Sequence, residues 1–350
     1  MSETPKVWMN RAGGNGEDET IALDQNLSII GFDEVPSLEG VEDWDALYKM
    51  VEENIGGKPR AVGNYSGQLW AFRIGMQKGD LVVLPQKLTS QVAIGKVSGP
   101  YKYSKIGSTF RHVRPVDWIR PDVARSTFRQ DLLYSMGAFM TVCEISRNDA
   151  GRRIAAVLKG GEDPGHSIEM TQVKDRAGEV TDDNSATEIN LHQFADDQIT
   201  AHIQSRFSGH DLALLVEAVL LAEGWFTKIS PPGPDGGVDI LAGRGSLGLD
   251  KPRLCVQVKS QTSACDVTVY RTLQGSMQTF DAEQGLLVCW GGFNRAVLSE
   301  SKQRHFSVRL WDSSDLVEAI FRNYEKLPAE IQAELPLKKI WTLVKDERED

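Results

Sequence analysis

The stretch Ser230–Gln261, SPPGPDGGVDILAGRGSLGLDKPRLCVQVKSQ, constrains the fold more than any other part of the chain. Pro231, Pro232, Gly233, Pro234, Gly236 and Gly237 make a stiff, sharply turned loop, since proline fixes φ and glycine opens turn conformations closed to other residues. A strand-like run, Val238–Ala242, follows, and a Gly-rich turn then leads to a second, Leu254–Ser260. Strand alternation puts Val256 and Val258 on one face and Gln257 and Lys259 on the other. The same alternation turns Asp239 away from the face that holds Val238 and Ile240. Such a hairpin gathers an acid, an amide and an ammonium at one sheet edge.

The flanking segments predict a mixed α/β unit around one sheet. His210–Glu223 (HDLALLVEAVLLAE) is a strongly apolar helix stopped by Gly224. Strand Phe226–Ser230 precedes the hairpin. Helix Val267–Phe280, strand Gly285–Trp290, helix Asn294–Gln303, strand Val308–Trp311 and helix Asp315–Leu327 follow it. Trp290 and Trp311 fall in core strands and read as packing residues, and His210 reads as a surface residue, with helix capping or lining of the site as its alternatives.

The grouped side chains suit phosphodiester hydrolysis. Mg²⁺ is a hard cation that takes one or two carboxylates beside water and phosphate oxygens. Asp239 is the candidate charged ligand, with the Gln257 side-chain oxygen and the Val258 carbonyl completing the protein's share. Lys259 would orient the attacking water or offset charge building on phosphorus.

Asp239, then 17 residues, then Gln257-Val258-Lys259 resembles the D–x(n)–[DEQ]xK signature of the PD-(D/E)xK nuclease superfamily. GPDGGVDI followed by VQVKS is similar to the Mrr-type restriction endonucleases, as are Leu273-Gln274-Gly275 and Gly291-Gly292-Phe293. The resemblance covers about residues 205–325. It implies a restriction-endonuclease-like α/β fold, catalytic Asp239, Gln257 and Lys259, a Mg²⁺ or Mn²⁺ cofactor, and double-stranded DNA as substrate. Many relatives carry an acid near the start of the first helix, where this chain has Leu212-Ala213. Asp211 or Glu217 would then supply the further metal ligand, Glu217 being flanked by apolar residues and needing a partner.

The N-terminal region, about residues 1–150, reads as mostly β with an inserted helix. Val82–Leu84 and Val92–Val97 are strand-like, Glu42–Glu53 has a helical apolar stripe, and Arg120–Met136 reads as helical. IIGF at Ile29–Phe32, MQKGDLVVLP at Met76–Pro85, AIGKVSGPYKY at Ala93–Tyr103 and RHVRPVDWIR at Arg111–Arg120 resemble the EVE and PUA-like β-barrels, over about residues 5–122. The expected architecture is therefore α+β joined to α/β, a PUA/EVE-like barrel followed by a nuclease unit. Reading a modified base requires taking it out of the stack and sandwiching it between flat faces. Trp8, Asn10, Trp70 and Trp118 are the candidate pocket, and Lys96, Lys102, Lys105, Arg111 and Arg114 the candidate phosphate contacts.

Charge distribution supports this division. The net charge is −10, yet residues 1–60 hold 5 Lys and Arg against 13 Asp and Glu, while residues 61–147 hold 12 against 5. A phosphate backbone senses the face it meets, not the total. Residues 151–195 read as a linker, polar and broken by Gly and Pro from Lys159 to Asn190, with the nuclease unit occupying 196–350. Cys143, Cys255, Cys265 and Cys289 lack metal-ligand spacing and read as free thiols. No apolar run approaches the ~18 residues of a membrane span and no signal peptide is visible, so a cytoplasmic protein is expected. A double-strand break needs two active sites, hence an expected homodimer. Two other readings compete with a modification-dependent restriction or defence nuclease: an effector nuclease switched on by a small nucleotide, and a non-catalytic reader of modified DNA.

Overall fold

The computed structural model describes residues 5–14, 16–87, 89, 91–137, 140–165, 191–231 and 237–340. The expected linker between 166 and 190, most of the Pro/Gly loop (232–236) and the last ten residues lie outside them. Two sheets organise what is described.

The C-terminal sheet holds five strands in the order β12-β11-β10-β9-β8: β8 (Phe226–Ile229), β9 (Ile240–Arg244), β10 (Asp250–Lys259), β11 (Gln284–Cys289) and β12 (Val308–Trp311). β8, β9 and β10 form an antiparallel meander, while β10, β11 and β12 run parallel. The parallel connections are helices, Val267–Thr279 and Arg295–Ser301, as crossovers of this kind require. Those two pack on one face with Cys255, Leu287 and Cys289. Helices His210–Ala222 and Ser313–Asn323 cover the other face with Val256, Val258, Leu286 and Val288. A sheet covered on both faces explains why β11 reads as an unbroken apolar run. Trp290 is 2% exposed and sits in this core, as expected.

The C-terminal tail has a packing role that its sequence did not reveal. Leu335 is buried against the helical face, and Tyr324 Oη donates to the Leu335 carbonyl while accepting from the Leu337 amide.

The N-terminal sheet, among the described residues, runs β2-β6-β4-β3-β1-β7, with β5 paired to β6. Its strands are β1 (Val7–Asn10), β2 (Leu27–Ile30), β3 (Leu81–Pro85), β4 (Gln91–Val97), β5 (Lys102–Ile106), β6 (Thr109–Ala124) and β7 (Val142–Glu144). The sheet curls until Asn10 Nδ2, on β1, donates to the Ile29 carbonyl on β2 at 3.1 Å. One side-chain amide thus bridges strands that share no backbone ladder. Helix Trp44–Asn54, capped by the Asp43 carboxylate, fills one face together with Pro59–Trp70. Pro59 sits in the first turn, where its missing N–H costs nothing. That second helix, which the sequence reading did not include, ends in a π-helical turn over Ala71–Gly75.

Residues 120–124 correct the expected helix Arg120–Met136. β6 continues to Ala124 because Val123 and Ala124 stay paired with Val92 and Gln91 on β4, and Pro121 disfavours helix at Arg120. The helical part is Gln130–Met136. Helix Ala150–Leu158, within the expected linker, buries Ile154 and Val157 in the N-terminal core.

The thiol expectation is also corrected: Cys265 and Cys289 are joined in a disulfide, while Cys143 and Cys255 are free. Sequence spacing hid the pair because the fold returns residue 265 to the end of β11, where Cys265 bridges Phe293. No described helix is long and apolar enough to cross a membrane.

Candidate active site

Asp239 lies on a bend just before β9. The backbone is held there by Ser230 N–H donating to the Asp239 carbonyl (2.8 Å) and Asp239 N–H donating to the Val256 carbonyl (2.9 Å). Its carboxylate Oδ2 accepts the Val258 N–H at 2.7 Å. The acid is thereby fastened to the strand that carries Gln257 and Lys259. Simple alternation is corrected here: Val238 packs with Cys255 and Leu287, Ile240 with Val256 and Val258. The two apolar neighbours of Asp239 lie on opposite faces, because regular β structure begins only at Ile240.

A cleft of about 440 Å³ opens beside this bend, lined by Gly209, His210, Ala213, Ser230, Pro231, Asp239, Val258, Lys259, Ser260 and Gln261. Asp239 and Lys259 therefore face one space, from β9's approach and β10's end. His210, read as a surface residue with cleft lining as the alternative, lines the cleft too. The Ser260 hydroxyl accepts the Gly209 N–H at 3.1 Å and ties that helix start to the loop after β10. Ser230 and Gln261 add further polar lining.

Gln257 is not among the described lining residues. It is 3% exposed, and its Oε1 is buried without a hydrogen-bond partner. A buried oxygen in that condition is costly unless a donor or a cation reaches it. Gly237, at φ +82°, gives it room: a Cβ there would come within 3.3 Å of Gln257 Nε2. Glu217 is held elsewhere, its Oε1 accepting from Thr227 Oγ1 at 2.9 Å, and neither it nor Asp211 lines the cleft. Among the described residues no three His, Cys, Asp or Glu side chains cluster as a metal site.

Among the N-terminal candidates, Trp8, Trp70 and Trp118 pack in or against one hydrophobic cluster. Trp8 is 4% exposed with its indole N–H on Asp80, and Asn10 is buried between β1 and β2. Trp70 is half-buried edge-on to Trp44, and Trp118 half-buried with its N–H on the Ala22 carbonyl. Arg114 is buried and donates to the carbonyls of Phe72, Arg73 and Gly99; burial pulls its guanidinium down to about 10. Arg111 pairs with Asp33 and Asp18. Lys96, Lys102 and Lys105 are exposed.

Comparison with known proteins agrees with the geometry of the C-terminal sheet. Residues 204–320 match the family Mrr_cat, described as "Restriction endonuclease". Residues 6–145 match a family described as "Domain of unknown function (DUF8426)". No curated protein matches the chain. Among solved structures, the chain is similar to the DNA modification-dependent restriction endonuclease AspBHI, with 14% identity over 73% of this chain and 67% of that one, at a TM-score of 0.33. It is similar at the same identity and TM-score to MspJI restriction endonuclease in complex with a 27-mer oligonucleotide, over 77% of this chain and 68% of that one. Overlaps this loose establish neither activity nor substrate. The family match, by contrast, spans both the Asp239 bend and the Gln257–Lys259 strand: residues 204–320 are similar to a restriction endonuclease domain.

Proposed function

We propose that the chain is a metal-dependent DNA endonuclease whose N-terminal unit selects the DNA, an altered base being the feature it reads. The observation that carries this reading is the shared cleft of Asp239 and Lys259, inside the matched endonuclease region. The orphaned Gln257 Oε1 fits a cation ligand. Asp239, Gln257 and the Val258 carbonyl would hold Mg²⁺ or Mn²⁺, a low-carboxylate oxygen set of the kind Mg²⁺ accepts when water and phosphate supply the rest. When bound, the ion acidifies water and offsets phosphate charge.

The chain's own residues do the remaining work. Lys259 brings an ammonium with three donors to the cleft, where it steadies the non-bridging phosphate oxygens. The Val258 N–H fixes the Asp239 carboxylate so that it meets its ligand without rearranging. His210, Ser230 and Gln261 offer polar contacts to a sugar–phosphate strand. In this reading Glu217 acts through Thr227 in fixing the first helix.

The N-terminal unit serves as a reader of the PUA-like kind. Lys96, Lys102 and Lys105 are its phosphate contacts, and the half-buried Trp70 and Trp118 are better placed than Trp8 and Asn10 to meet a base. Two copies acting together would cut both strands. The test is cleavage of matched DNAs, unmodified or carrying cytosine or adenine modifications, with Mg²⁺ present or chelated. Metal-dependent cutting confined to one modified DNA supports the proposal. Equal cutting of every DNA removes the reader role, and chelator-resistant cutting removes the metal.

A further inference from the structure

We propose that Gln91, in the N-terminal unit, is a positioning residue for the Lys259–Gln261 arm of the cleft, so that the reader sets the geometry of the cutter. The inference rests on reading that cleft as the nuclease site. Gln91 opens β4 and is 2% exposed. Its Nε2 donates to the Gly291 carbonyl at 3.1 Å and the Phe293 carbonyl at 3.4 Å, some 200 residues away. The amide therefore enters the turn Gly291-Gly292-Phe293, for which the proposed chemistry has no other use.

That turn is shaped on both sides by close approach. Gly292 has φ +77°, and a Cβ there would stand 2.6 Å from Gln91 Nε2. A Cβ on Gly291 would stand 2.4 Å from the Thr262 carbonyl oxygen and 2.5 Å from that of Ser263. The far side of the turn grips the cleft arm. Trp290 N–H donates to the Lys259 carbonyl at 2.8 Å and Gly291 N–H to the Gln261 carbonyl at 3.0 Å. Cys265 N–H donates to the Gly292 carbonyl at 2.9 Å, and the Cys265–Cys289 disulfide closes the same loop.

Gly291 thus accepts from the N-terminal unit through its carbonyl and donates to a cleft residue through its N–H. Two hydrogen bonds separate Gln91 from Gln261. Asp24 pairs with Arg295 one residue beyond Asn294, a second tie between the units beside the turn. Buried carbonyls facing an amide donor also set the chemistry required at 91: a carboxylate there would set acceptor against acceptor and leave both carbonyls without a donor.

Hydrogen–deuterium exchange on the full chain tests this, comparing wild type with Gln91→Leu, which keeps volume but removes the donor, and Gln91→Glu. Positioning predicts that the Trp290, Gly291 and Cys265 amides exchange about tenfold faster or more, Glu exceeding Leu, while β1 and β3 keep their protection. A plasmid cleavage assay with Mn²⁺ should then show kcat falling by a larger factor than KM rises, since the displaced arm carries Lys259 as well as Gln261. Unchanged exchange at those amides, or uniform loosening of both units, overturns the inference and leaves the nuclease reading standing. Undiminished cleavage by an Asp239→Ala variant would instead sink the nuclease reading, whatever the exchange shows.

Discussion

Gln257 illustrates how a residue can be legible by type and obscure by environment. Its place between Val256 and Val258 was readable, but that its Oε1 would be buried without a partner depends on packing no spacing reveals. If that oxygen is a cation ligand, Gln257→Ala should weaken Mn²⁺ binding by about tenfold or more, read by calorimetry, with the fold's thermal midpoint little changed. His112 was not legible at all. Its Nε2–H donates to the Val35 carbonyl at 3.1 Å, and Tyr101 Oη, which accepts the Leu38 N–H, donates to its Nδ1 at 2.7 Å. This chain of bonds needs a neutral imidazole, and burial lowers its pKa below the ordinary 6.5. A depressed folded pKa contributes stability above pH 6.5 that is lost as pH falls through the folded value. Unfolding followed by tryptophan fluorescence should show the N-terminal unit weakening between pH 7 and 5, and His112→Gln should flatten that dependence.

Strands and helices of the C-terminal unit from His210 to Asn323 were read correctly in order and type, whereas helices Leu191–Arg206 and Ala329–Glu334 were not read. The errors cluster where tertiary pairing overrides local pattern. β6 outruns its expected end by pairing with β4, and Asp239 breaks alternation because hydrogen bonds to Ser230 and Val256 bend the chain before β9 begins. In the N-terminal unit, helix Pro59–Trp70 was missed although Pro59 marks its first turn. Helix Ala150–Leu158 carries another unread feature, the fully buried Arg153. Its guanidinium is held by Asp163 at 2.6 and 2.7 Å and by Asp131 at 2.6 and 2.9 Å. Removing one partner of a buried pair strands the other charge, so Arg153→Ala should cost about 3–5 kcal/mol in chemical denaturation. A loss under 1 kcal/mol would show that the network contributes no more than a surface pair.

For the whole molecule, the charge asymmetry and the motif pair suggested two units, whereas the contact between their sheets was not legible. Arg125 and Asp197 form a buried bidentate pair at 2.8 Å between the two units, and Gln91 enters the Gly291–Phe293 turn. Such pairs join residues far apart in sequence, and a single sequence carries no signal for them. In the proposed function, Asp239 and Lys259 act on one phosphodiester in one cleft. The direct measurement is single-turnover cleavage of DNA that the wild-type chain cuts in Mg²⁺, set against DNA binding, for Asp239→Ala and Lys259→Ala. Both variants should bind with near wild-type affinity and lose cleavage by about a thousandfold or more; cutting at the wild-type rate by either one would contradict the claim.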